Sequence, residues 1–163
     1  MRYKYLPFVA IIALGIIGCQ RSFDSEQAHA EILELHRSFI EAHLAKDIAP
    51  LVRPIPQDYL FVANGDVRTL NGNDVQNNFE RYFDTTTFSH YKDTDEPIVG
   101  FSKDGTLAWA IVQVRVAGTT HRESGPDSPF DTQWAWITLY ERRDGEWSRI
   151  SDVSTNRPFT ESE

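Results

Sequence analysis

The sequence predicts an α+β domain in which helices lie on one face of a curved antiparallel sheet. Three observations carry that expectation. Helical periodicity is confined to the first half of the chain, strand patterns follow one another from Thr85 onward, and turn signals of the Asp-Gly type separate them. The central strand is read in Asp104–Val116, after the Lys103-Asp104-Gly105-Thr106 turn signal. Ala108, Ala110, Val112, Val114 and Val116 alternate as one apolar face. The other face carries Leu107, Trp109 and Ile111, then turns polar at Gln113 and Arg115. A strand apolar on both sides for half its length fits the middle of a sheet, near its mouth.

Before the domain comes a leader. Arg2 and Lys4 precede the apolar run Leu6–Ile17, which is too short to span a bilayer and reads as a signal peptide. Its ending, Ile16-Ile17-Gly18-Cys19, resembles the lipobox of bacterial lipoproteins. That resemblance implies cleavage after residue 18, lipidation of Cys19 and anchoring at a membrane surface by acyl chains such as palmitate. Gln20 follows the cysteine where an acidic residue would signal inner-membrane retention, so the resemblance implies an outer-membrane address facing the periplasm. The competing reading is an ordinary secretory signal, but no A-x-A site follows.

Removing 18 of 163 residues leaves 145, enough for one domain. Arg2 and Lys4 leave with the leader, so 14 basic residues face 24 acidic ones and the net charge becomes −10. An acidic chain without a basic stripe argues against nucleic acid and against docking on anionic lipid. With Cys19, the single cysteine, used as an anchor, no disulfide or cysteine metal site remains.

Residues 19–25 read as a tether, and residues 26–155 as the folded domain. Glu26–Lys46 is a helix with Ser25 as N-cap, its buried stripe formed by Ala28, Ile32, Leu35, Phe39 and Ala42. His29, His36 and His43 fall on the edge of that stripe. Asp47–Arg53 adds a turn or two before Pro54 and Pro56. Tyr59–Ala63 is a short strand closed by Asn64-Gly65-Asp66, and Asn71-Gly72-Asn73-Asp74 launches a second helix through Asp84. Five strands follow, near Thr87–Asp93, Glu96–Ser102, Thr106–Thr119, Thr132–Arg143 and Glu146–Thr155. His121–Asp131 reads as a loop and residues 156–163 as a frayed acidic tail.

This order carries a second resemblance. A helix closing on Ala45-Lys46-Asp47, a strand with an Asn-Gly turn, a second helix and a meander ending Gly145-Glu146-Trp147 and Ser151-Asp152-Val153-Ser154 is similar to the nuclear transport factor 2-like superfamily, within it the SnoaL-like branch. The resemblance implies a cone-shaped sheet wrapped over the helices (a cystatin-like roll), with a pocket at the open end. It also implies a homodimer packed through the outer sheet face.

The candidate chemistry is spread over several elements. His36 and His43 sit nearest the middle of the apolar arc, as a general base or as donors to a ligand, or else as core-edge histidines bonded to backbone. They do not share a metal: seven helical residues separate them by about 10.5 Å along the axis. A metal would need His90 or His121 with carboxylates, and no metal or cofactor is expected. Tyr59, His90, Arg115, Trp136 and Asp152 form a second set on strands. Arg115 and Asp152 are read either as an ion pair or with Arg115 meeting an anionic ligand. Trp136 and Tyr140 fit a cavity or a dimer interface equally, because alternation alone leaves the wet face open.

Some members of the superfamily are isomerases, cyclases or dehydratases with a carboxylate or histidine base. Here that role would fall to His36, His43 or Asp152, with Tyr59 or Asp152 as donor. Three functions are therefore weighed: a pocket for a small, mostly apolar molecule, which leads; an acid/base enzyme; and an interaction module working through the outer sheet face. The G-x-S-x-G elbow is missed at Gly100–Gly105, and no P-loop, dinucleotide fingerprint or H-E-x-x-H occurs.

Overall fold

The computed structural model describes residues 23–160. The leader, Cys19 and most of the tether lie outside the described residues. Helix α1 spans Ser25–Ala45. Its N-cap is Asp24, one residue before the expected Ser25, because the Asp24 carboxylate accepts from the Glu26 and Gln27 amides at 3.1 and 3.0 Å. Lys46 ends the helix in the left-handed conformation. A single turn, α2, follows at Ala49–Val52.

Strands β1 (Tyr59–Ala63) and β2 (Asp66–Leu70) form a hairpin. Asn64 and Gly65 both hold positive φ, at 54° and 85°, as a two-residue hairpin turn requires. The sequence reading did not extend to β2, whose Val67 is exposed and whose pairing comes from the turn. Helix α3 spans Gly72–Thr85 and opens with a capping box between Asn71 and Asp74.

The remaining strands are β3 (Thr86–Asp93), β4 (Ile98–Phe101), β5 (Leu107–Thr120), β6 (Ser128–Arg143) and β7 (Glu146–Pro158). Two run longer than expected. β6 starts inside the expected loop, pairing Ser128 with Thr120, and β7 continues into the expected tail, pairing Pro158 with Thr132. The polar composition of both ends hid ladder pairing that a long neighbour supplies.

The seven strands of the described residues form one sheet in the order β2-β1-β7-β6-β5-β3, with β4 sharing the far edge of β5. All pairs are antiparallel except β1 with β7. The alternation in β5 holds: Ala108, Ala110, Val112, Val114 and Val116 are all buried. Ala28 and Ile32 of α1 pack on Ala108, Ala110, Tyr140 and Trp147. Phe39 and Ile40 pack on Val112, Val114 and Val116. Ala42 joins Leu51 and Phe83. Burying a side chain of Ile32's size stabilises the domain by about 1.5–3 kcal/mol, which is why α1 seats against the middle of the sheet.

Register settles which face is wet. Val112 lies opposite Trp136, Ala110 opposite Thr138 and Ala108 opposite Tyr140. Directly opposed residues share a face, so Trp136, Thr138 and Tyr140 face the helices. Leu107, Ile111, Ile137 and Leu139 occupy the outer face and are exposed.

Candidate functional site

A cavity of about 350 Å³ opens between α3, the β1–β2 hairpin and β7. Its walls are apolar: Phe39 from α1, Phe61 and Leu70 from the hairpin, and Val75, Phe79 and Tyr82 from α3. Tyr59, Arg149 and Asp152 supply polar groups at the sheet, while Arg68 and Asn78 complete the lining.

Arg149 and Asp152 reach the same face through a bulge. Leu139 pairs with Ser151 and Tyr140 with Arg149, leaving Ile150 as the extra residue in β7. Without it, residues three apart on a strand would point to opposite faces. The bulge brings both side chains inward.

Asp152 is held from two sides. Tyr59 Oη donates to its Oδ2 at 2.6 Å, and Thr138 Oγ1 donates to its Oδ1 at 2.5 Å. Arg149 Nε stands 3.6 Å from Oδ2, an ion pair longer than a hydrogen bond. The guanidinium donates from Nη2 to the Leu51 carbonyl at 3.0 Å, and its planar group lies 5.2 Å from the Phe39 ring centre and 5.7 Å from that of Tyr59. Arg149 Nε has no hydrogen-bond partner among the described residues. Burial, the largest influence, opposes the Arg149 charge, but Asp152 together with Tyr59, Tyr140 and Tyr91 outweighs it and holds the pKa above its ordinary value. Burial and the Asp152 charge both push the Tyr59 phenol far above its ordinary value, so it stays a protonated donor. Burial raises Tyr82 to about 12.

Of the residues singled out in the sequence, Tyr59 and Asp152 line the cavity, and the structure brings them into contact. The others lie elsewhere. His36 is buried between α1 and the sheet, its Nε2 2.7 Å from Asp93 Oδ1 and its ring 6.0 Å from Trp136. Trp136 packs on Phe39 at 5.8 Å within the core. His43 donates from Nδ1 to the Phe39 carbonyl at 2.8 Å and lies among Phe39, Phe79, Phe83 and Tyr91, behind the cavity wall. Burial lowers its pKa to about 4, so it is neutral at pH 7.

His90 follows a second bulge, at Ser89, and pairs with Ala117 while its neighbour Tyr91 takes the inner face opposite Val116. Arg115 corrects an expected pairing. It bonds Asp131 through Nε at 3.0 Å and Nη2 at 2.7 Å and lies over Phe159, whereas the partner of Asp152 is Arg149. Arg115 sits on an odd-numbered position of β5, facing away from the valine stripe. Arg149, Arg68 and the α3 wall were not singled out in the sequence. Among the described residues, no three His, Cys, Asp or Glu side chains gather as a metal would require. No described helix is long and apolar enough to cross a membrane.

No family model matches the chain, and no curated protein matches it. Solved structures do. LinA superposes with a TM-score of 0.68 at 15% identity, covering 83% of this chain and 90% of its own. An NTF2-like protein of unknown function from Pseudomonas putida gives 0.62 at 16% identity, over 80% and 87%. An NTF2-like protein from Cytophaga hutchinsonii gives 0.62 at 16%, over 82% and 98%. At these identities the likeness establishes the fold, which is nuclear transport factor 2-like.

Proposed function

We propose that this chain of nuclear transport factor 2-like fold binds a small, mostly apolar molecule in the cavity between α3, the β1–β2 hairpin and β7. The observation that carries this reading is an apolar cavity with a convergent polar group at one side, of a size within the roughly 300–1,000 Å³ typical of ligand sites. Such a site orients a ligand by its polar end and holds it by its body.

Plain binding is favoured over acid/base catalysis by the state of the titratable groups. Both Asp152 oxygens already accept hydroxyl protons, and the Tyr59 phenol is committed to one of them. His43 turns its Nδ1 proton to a backbone carbonyl behind the wall, and His36 turns to Asp93. A general base must come within hydrogen-bond reach of the substrate proton; neither histidine lines the cavity, and Asp152, which does, already accepts two hydroxyls.

The leader places this binding role, on our reading, at the bacterial envelope, with the domain tethered through lipidated Cys19 to the outer membrane. Phe23 already packs on Phe101 at 5.3 Å, so the described fold begins four residues after that cysteine. Cys19→Ser followed by membrane fractionation tests the anchor; an unchanged membrane-bound product would sink it.

A second reading, the outer sheet face as an interface for a second copy, is favoured by one observation. Ile98, Ile111, Ile137 and Val153 are cross-strand neighbours in one row, and all are exposed. Native mass spectrometry of residues 20–163 tests both readings together. A co-purifying small molecule supports binding, and a dimer mass supports the interface. A ligand-free protein that also fails to take up a neutral apolar fluorophore overturns the binding role.

A further inference from the structure

We infer that the ligand of this cavity is a monocarboxylate with an apolar body, its carboxylate met by Arg149. The inference rests on the proposed binding role and deepens it. Three features of the lining carry it.

The first is donor supply. A guanidinium has five N–H donors in a planar fork. In Arg149 the Leu51 carbonyl takes one on Nη2, and Nε is left without a hydrogen bond among the described residues. Asp152 does not meet this demand with a hydrogen bond, because Nε stands 3.6 Å from Oδ2, while Tyr59 and Thr138 make its short contacts. A buried donor without an acceptor carries a desolvation cost, and a ligand that brings acceptors to this guanidinium relieves it. A carboxylate matches the fork better than a carbonyl or hydroxyl does, since it offers two oxygens and a charge.

The second is charge balance. The lining holds two cations, Arg68 and Arg149, against one anion, Asp152. The cavity is therefore one positive charge in excess on a chain whose formal net charge is −8. One negative charge on the ligand brings the lining to neutrality, whereas a doubly charged phosphate would overshoot it. A cationic ligand would add to the excess.

The third is the walls. Phe61, Leu70, Val75, Phe79 and Tyr82 offer aromatic and aliphatic surface with no further charge. Arg68, exposed on β2, lies with its guanidinium 5.1 Å from the Phe61 ring centre at that aromatic wall. The body of the ligand is accordingly apolar, of aryl-alkyl or alicyclic kind.

The test uses residues 20–163, which contain every element of the fold, and reads displacement of 1-aminoanthracene, a neutral apolar fluorophore. The competitors are 4-phenylbutanoate and 4-phenylbutan-1-ol, which share a body and differ in the head. The expected result is that the carboxylate displaces the dye about tenfold or more better than the alcohol at pH 7, as one charge-assisted contact predicts. A 15N-edited NMR spectrum of the unsubstituted protein supplies the second readout: the carboxylate moves the Arg149 Nε–H resonance and the alcohol does not. Arg149→Met brings the two competitors to equal displacement, compared with each other within that variant; the NMR arm stands if the variant fails to fold or to take up the dye. Equal displacement by the two heads, or none by either, overturns the carboxylate inference and leaves the binding role standing. No uptake of 1-aminoanthracene overturns both.

Discussion

Arg149 and Asp152, three residues apart on one strand, share the inner face of the sheet because Ile150 bulges between them, and Arg149 Nε lies 3.6 Å from Asp152 Oδ2. Both side chains are buried. Removing one charge of such a pair strands the other, which costs about 3–5 kcal/mol. Asp152→Asn is therefore expected to lower the urea midpoint sharply, and Arg149→Met likewise. The double variant leaves neither charge uncompensated, so its loss should fall well short of the sum of the two. Additive losses in that double-mutant cycle would show that the pair is not coupled.

Tyr59→Phe isolates one hydroxyl. The ring stays to face Arg149 and the cavity, but Oδ2 of Asp152 loses the donor that stands 2.6 Å away. A buried acceptor left unsatisfied costs about 1–3 kcal/mol, so the variant should unfold at lower urea while a neutral apolar dye still binds. Loss of dye binding at full stability would place the phenol in direct contact with the ligand instead.

His43 sets an acid limit on stability. Its folded pKa is lowered to about 4 by burial among aromatic rings, against 6.5 for the free side chain. The sign follows directly: below pH 6.5 the unfolded chain takes up a proton that the native imidazole refuses. Stability is full above about 6.5, falls as the pH drops from there towards 4, and has lost about 3 kcal/mol from this group at the lower end. His43→Asn keeps an N–H donor near the Phe39 carbonyl but cannot titrate. Its stability should change less than that of the unsubstituted protein between pH 7 and pH 4, measured by urea denaturation at each pH.

The fold was legible because its strongest signals are local. The valine stripe of β5, the Asn64-Gly65 turn and the apolar ladder of α1 each follow from a period or a backbone requirement. The site was legible only where parity held. Tyr59 and Asp152 could be singled out as polar groups on strands, but Arg149 could not be joined to Asp152, since regular alternation places positions 149 and 152 on opposite faces. A one-residue bulge reverses that parity, and its cause lies in pairing with β6, which no local window contains. The same effect at Ser89 sent Tyr91 inward in place of His90. His36 and His43 show a different limit. Helical spacing placed them at the edge of the buried arc, yet whether a buried histidine meets a cavity or a core depends on elements that reach it only in three dimensions, α3 for His43 and the sheet residues Asp93 and Trp136 for His36.

Ile137 tests the outer face. It lies directly opposite Ile111 on β5 and Val153 on β7, at the centre of the exposed row, and 38% of its surface is exposed in the single chain. Ile137→Lys places a charge there. In a monomer the lysine reaches water, and stability should shift by only about 0.5 kcal/mol. In a two-fold dimer each copy contributes its own lysine to the same patch, so two charges would be desolvated together. The expected outcome is a dimer for the unsubstituted protein and a monomer of nearly equal stability for the variant, read by sedimentation velocity and urea denaturation. A dimer that survives Ile137→Lys unchanged would move the interface away from this face.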